Sequence, residues 1–279
     1  MRAIFGAAAM LAVLAACGPT APAAPAAQNI AKNSADLVAY LDAEYEEELQ
    51  LSPQEMTAQG RKDRYGELDD RTEAAMDKEI AWRRESVADM TAKFKPEALS
   101  EDARLSYDIW SLELDRDEKA NVFRRHRYIF GRNGAHTGLV NFIINQHRVG
   151  EKSDVEAYIS RVGAIAPTLD VLIERAKLAA ADGIRMPGFS YDMTASEVKR
   201  VTTGAPFGPG PDSALFADGK AKIKALGESG KLKPEEVVAL TEQLRLAMVD
   251  QMKPAYGRLA AWVAEDKKNA SPTPQGAGS

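Results

Sequence analysis

The chain has 279 residues and a formal net charge of −5, from 36 Lys and Arg against 41 Asp and Glu. That balance excludes the basic stripe of a nucleic-acid binder. With 45% hydrophobic and 28% charged residues the composition is that of a folded globular domain. No apolar run after the first seventeen residues is long enough to cross a bilayer.

Arg2 supplies a short positive start, and residues 3–15 form an apolar run too short for a permanent membrane helix. The run ends in Leu14-Ala15-Ala16-Cys17, which resembles the lipobox of bacterial lipoproteins. Cys17 is the only cysteine. A signal peptide is therefore expected over residues 1–16, with lipid attached at Cys17 and the membrane as partner through that anchor. A triacylated cysteine exceeds the two-signal threshold for stable anchoring. Gly18, where an Asp would favour the inner membrane, is compatible with the periplasmic face of the outer membrane. With Cys17 consumed by lipid, no disulfide is expected and stability must come from packing. Residues 17–33, rich in Ala and Pro, read as the lipidated Cys followed by a flexible, partly extended tether.

From Ser34 onward the apolar period is helical, which predicts an all-α, multi-helix domain over residues 34–268 and a disordered tail over 269–279. Ser52-Pro53-Gln54-Glu55 places a capping Ser, a Pro at the first helical position and a Glu that can reach back. Asp70-Arg71-Thr72-Glu73, Ser100-Glu101-Asp102, Ser153-Asp154-Val155-Glu156 and Thr194-Ala195-Ser196-Glu197 are further predicted starts. Met76, Ile80, Val87, Met90 and Phe94 lie on one apolar stripe. Leu105, Ile109 and Leu112 form a second, and Leu169, Leu172, Ile173 and Ala176 a third, on a helix ending at Gly183. The last pattern runs through Val237, Leu240, Leu244, Met248, Met252, Leu259 and Val263, with a kink near Met252 caused by Pro254. Residues 121–130 and 188–193 read as short extended pieces, and 204–211 as a Gly/Pro loop.

Signs of chemistry are sparse. His126, His136 and His147 are too far apart for the two-histidine helical zinc motif, and each reads as a surface or core residue. There is no Gly-x-Ser-x-Gly elbow. The prolines of the 204–211 loop leave few N–H groups for a phosphate, so it reads as a linker or lid. The acidic runs Glu44-Tyr45-Glu46-Glu47-Glu48 and Asp115-Arg116-Asp117-Glu118 read as solvated helix faces. Residues 131–138, which mix glycines with Arg132, Asn133 and His136, are either a binding loop or a plain connector. No catalytic residue, metal ligand or cofactor is assigned to this chain.

Several segments recur in a recognisable order. These are Ala81-Trp82-Arg83-Arg84, Leu99-Ser100-Glu101-Asp102-Ala103-Arg104-Leu105-Ser106-Tyr107-Asp108 and His147-Arg148-Val149. Ala157-Tyr158-Ile159-Ser160-Arg161-Val162, Gly183-Ile184-Arg185-Met186-Pro187 and Lys253-Pro254-Ala255-Tyr256-Gly257-Arg258-Leu259 follow. In this order the chain resembles the N-terminal half of the bacterial family known as domain of unknown function 885, grouped with gluzincin-like metallopeptidases. The resemblance implies a mostly helical zinc-peptidase-like fold with a cleft between two helical halves. It also implies that the metal sits on a His-Glu pair followed by Pro-Gly-His, beyond the point where this sequence stops; no His-Glu dipeptide occurs here. The chain is then either a truncated sequence or a protein of half length.

The resulting expectation is the non-catalytic half of a metallopeptidase-like lipoprotein, forming one wall of a peptide cleft, with zinc only in the C-terminal half that would be its partner. The alternative is a free-standing helical lipoprotein that binds a peptide or protein partner without catalysis. A complete enzyme would need paired carboxylates meeting in a cleft. If a second half is missing, the last helix, with Leu244, Met248, Met252, Tyr256, Leu259 and Trp262, is expected to expose its apolar face.

Overall fold

Three of the capping signals start helices where the sequence places them. Ser52 Oγ accepts the Glu55 N–H, Thr72 Oγ1 accepts that of Ala75, and Ser100 Oγ that of Ala103. The computed structural model describes residues 25–270; the signal peptide, Cys17 and residues 271–279 lie outside the described residues. These fold into α1 (Pro25–Leu49), α2 (Pro53–Ala58), α3 (Glu73–Lys93), α4 (Glu101–Asn121), α5 (Ala135–Gln146) and α6 (Lys152–Ala181). There follow α7 (Gly188–Val201), α8 (Ala214–Glu228), α9 (Pro234–Leu246) and α10 (Lys253–Asp266). No strand occurs among the described residues, so the fold is all-α as expected.

Several local expectations are corrected. The Ala/Pro stretch expected to be a flexible, partly extended tether to Asn33 is helical from Pro25. Gln28, Ala31 and Lys32 favour helix, and the end of the stretch is tied down where the Ser100 N–H donates to Ser34 Oγ at 2.9 Å. α6 starts before Ser153, because Asp154 accepts the Glu151 N–H at 3.0 Å and so completes a box two residues earlier. Thr194 and Glu197 lie inside α7: Thr194 Oγ1 donates back to the Ser190 carbonyl at 2.9 Å and caps nothing. Residues 188–193 are helical, and 121–130 run from the end of α4 into turns. Asn269, expected to begin the tail, closes a short 3₁₀ turn, Lys267–Asn269.

Two apolar cores form. The smaller joins α1, α3 and α4 through Leu37, Met90, Leu99, Ala103 and Trp110. The larger joins α5 to α10 around Val162, Ile165, Leu169, Leu244, Met248 and Leu259. The last pattern is buried from Leu240 on, with Leu244, Met248, Met252, Tyr256 and Leu259 at most 1% exposed, while Val237 and Trp262 are half-buried. The expected exposed face on this helix is therefore absent. Pro254 has no N–H and its ring crowds the carbonyl four residues back. The strain is absorbed by a π-helical turn, Ala247–Met252, in which the Lys253 N–H bonds to the Met248 carbonyl. This wide turn packs on α6 at Gly163, where a Cβ would come 2.5 Å from Gln251 Oε1. α6 ends as read, with Gly183 at φ +83° and the Ile184 N–H on the Ala179 carbonyl.

Apolar surface is bare elsewhere. The second apolar stripe, Leu105, Ile109 and Leu112 on α4, is 60%, 47% and 54% exposed. α4 has two apolar faces, and the aromatic one wins the core: Trp110 is buried, meets Trp82 edge-on and donates Nε1–H to Ser86 Oγ at 3.0 Å. Val122, Phe123 and Tyr128, which follow α4, are exposed as well.

Candidate binding groove

Two cavities of about 780 and 820 Å³ adjoin between the α1–α4 layer and the body, sharing Asp70, Arg71, Glu79 and Asp117 as walls. Together they form one groove. Its outer compartment, between α1, α3 and α4, carries seven carboxylates and three guanidiniums. Its inner compartment reaches the start of α5 and carries three carboxylates and four guanidiniums, beside Phe123, Tyr128 and Leu172. The wall charge thus changes sign along the groove.

Ion pairs hold these walls. Arg83, 5% exposed, lies between Glu48 of α1 and Glu113 and Asp117 of α4; Nη1 is 3.2 Å from Glu113 and Nε 3.0 Å from Asp117. Its guanidinium also sits 5.4 and 5.1 Å from the Trp82 and Trp110 rings. Glu48 and Asp117 come from the runs expected to be solvated faces; they clamp three helices instead. Across the groove, Glu73 accepts Arg124 at 2.9 Å, Arg175 at 3.1 Å and Arg125 at 3.3 Å. Burial raises the carboxyl of Glu48 above the usual range despite Arg83, and that of Glu79 rises through burial and then the charge of Asp117. Arg127 and Glu79 take part in no ion pair among the described residues and face the groove.

The predicted loop divides. Asn133, at φ +56°, and Gly134 line the inner compartment, and Arg132 is exposed beside them. His136 lies in the first turn of α5, fully buried, with Nε2 2.9 Å from Glu197 Oε2 of α7. Neither ring nitrogen has a hydrogen bond of good geometry, and burial lowers the imidazole pKa against the pull of Glu197. The structure thus brings Asn133 to the groove and turns His136 into the core. Sequence reasoning missed Arg83, Glu79 and Arg127. Arg83 stood in the Ala81-Trp82-Arg83-Arg84 segment, whose paired aromatic and cationic residues were the available signal.

Among the described residues no three His, Cys, Asp or Glu side chains are grouped closely enough to hold a metal ion. No histidine lines either compartment. No helix among the described residues is long and apolar enough to cross a membrane. The groove offers charged and hydrogen-bonding side chains along both compartments, beside the apolar Phe123, Tyr128 and Leu172.

Residues 53–279 match the family described as bacterial protein of unknown function, DUF885. The chain belongs to this family. No curated protein matches it. Among solved structures, the fold is similar to that of "the putative lipoprotein from Colwellia psychrerythraea", with a TM-score of 0.60 and 13% identity over 89% of this chain. The match spans 43% of that structure, so this DUF885 chain corresponds to less than half of its length.

Proposed function

We propose that the chain is the non-catalytic helical half of an envelope lipoprotein of metallopeptidase type, and that its groove is one wall of a peptide cleft. Lipid on Cys17 holds it at the periplasmic face of the outer membrane. The observation that carries this reading is the bare α4 stripe of Leu105, Ile109 and Leu112, with Ile109 in the groove wall itself. Contiguous exposed apolar surface beside a groove marks an interaction site. More than half of the Colwellia structure has no counterpart here, and a segment of that kind supplies the second wall in this reading. The zinc that the resemblance implies belongs to that second half; the role of this chain is to hold and orient the peptide.

Co-expression with the C-terminal half of a full-length family member tests the proposal. The two halves should co-purify, and peptide hydrolysis should require both; a chain that stays alone at micromolar concentration contradicts it. Replacing Cys17 with Ser should release the protein from the membrane fraction, whereas unchanged fractionation contradicts the anchor.

The burial of Leu244, Met248, Met252, Tyr256 and Leu259 favours one second reading, a free-standing lipoprotein that binds a peptide or protein partner without catalysis. A monodisperse chain that binds no hydrophobic dye and melts sharply supports that reading over the first.

A further inference from the structure

Two apolar rows, one on each of two helices, bound the outer compartment of the groove. On α4 the row is Leu105, Ile109 and Leu112. On α1, Val38, Leu41 and Tyr45 recur at helical spacing and share one face. Val38 and Tyr45 are 47% and 41% exposed, and Leu41, Tyr45 and Ile109 line the compartment. The two rows run side by side in the same direction. At one end the Ser100 N–H donates to Ser34 Oγ at 2.9 Å, and at the other Arg83 pairs with Glu48 of α1 and with Glu113 of α4. On their other faces the same helices send Leu37 and Trp110 into the small core with Met90 of α3. No helix among the described residues covers Val38, Tyr45 or the α4 row. α1, α3 and α4 thus fill three places of a helical bundle and leave the fourth open.

Charge narrows what fits there. Of the carboxylates that line the outer compartment, Glu55, Asp70 and Glu79 take part in no ion pair among the described residues. Two of its three guanidiniums are already committed, Arg71 to Asp69 at 2.9 Å and Arg83 to Glu48, Glu113 and Asp117. The seam therefore joins bare apolar side chains to spare negative charge. Its complement is a helix with one apolar stripe and Lys or Arg beside that stripe.

We propose, resting on the reading of this chain as one half of a larger protein, that the α1–α4 seam docks a cationic amphipathic helix of the second half. Its apolar stripe lies between the α1 row and the α4 row, and its Lys or Arg side chains meet Glu55, Asp70 and Glu79. The helix is the element by which the second wall of the cleft attaches.

The full chain is titrated with the C-terminal half of a full-length family member, and the dissociation constant is measured by calorimetry at about 0.05 and about 0.5 M sodium chloride. Affinity should fall at least about tenfold between the two, because salt screens each exposed pair. Val38→Gln, a substitution at an exposed position outside the α4 row, should weaken binding about threefold or more. Glu55→Gln/Glu79→Gln should weaken binding at low salt and flatten the salt dependence, which a change of shape alone would not do. Hydrogen exchange in the complex should slow along one basic amphipathic helix of the second half. Binding that ignores salt and both variants, or exchange that slows only in acidic or non-helical segments of that half, overturns the docking helix and leaves the two-half reading standing. Absence of binding overturns both.

Discussion

Arg161 Nη1 donates to His147 Nδ1 at 3.0 Å in a site closed to solvent, and no carboxylate touches the guanidinium. Its remaining donors go to the Glu67 carbonyl at 2.8 Å, Thr57 Oγ1 at 2.6 Å and the Pro53 carbonyl at 3.3 Å. Because arginine only donates, His147 must accept at Nδ1 and carry its proton on Nε2, which donates to the Asp154 carbonyl at 2.8 Å. The ring also stacks on Tyr65, 4.1 Å between centroids. One buried cation thus ties α2 and the loop after it to α6, and so sets the floor on which the groove rests.

Arg161→Ala should therefore cost roughly 3 kcal/mol or more, since it orphans several buried acceptors at once. Denaturant unfolding measures this. Proteolysis should then cut first between residues 50 and 70, and a loss under about 1 kcal/mol contradicts the role given to Arg161.

Burial pulls the His147 pKa from 6.5 down to about 4. Between those values the unfolded chain binds a proton that the folded chain refuses. Stability should therefore fall as pH drops through 6.5 and continue falling to about 4, by on the order of 3 kcal/mol. His147→Gln should flatten this slope in urea midpoints measured from pH 7.5 to 4.5. An unchanged slope assigns the acid sensitivity to other groups.

Leu105→Gln, Ile109→Gln and Leu112→Gln remove apolar area that is already in water. Together they should shift unfolding free energy by no more than about 0.5 kcal/mol per site while lowering dye binding and self-association. A large destabilisation would mean that α4 packs its other face.

Arg83→Met keeps the packing against Trp82 and Trp110 but leaves Glu48, Glu113 and Asp117 without their shared cation. The loss of stability should be larger at pH 7 than at pH 4, because burial raises the Glu48 carboxyl and acid neutralises it. An equal loss at both would mean that Arg83 acts through packing alone.

Local chemistry was legible in the sequence where it is self-contained. Ser52, Thr72 and Ser100 cap because a hydroxyl and the N–H three residues on settle that contact between them. The α9–α10 stripe was legible because its apolar positions keep one period through the π-turn. Thr194 and Glu197 show where this fails: the same spacing serves a helix interior when a distant partner, His136, takes the carboxylate. α4 misleads for a similar reason, because periodicity marks both of its apolar faces and only the packing of Trp110 against Ser86 decides between them. The groove was not legible, since which charges face one another depends on how α1, α3 and α4 sit against α5 and α6.

The account's central claim is that the bare face of α4 is an interface. The most direct measurement places a polarity-sensitive fluorophore on a cysteine at Ile109, in a chain whose sole native cysteine, Cys17, is replaced by Ser. Adding the C-terminal half of a full-length family member should shift the emission to the blue, saturably, with no shift from a fluorophore at the exposed Val238 of α9. Emission at Ile109 that stays unchanged at saturating concentrations of that half would contradict the claim.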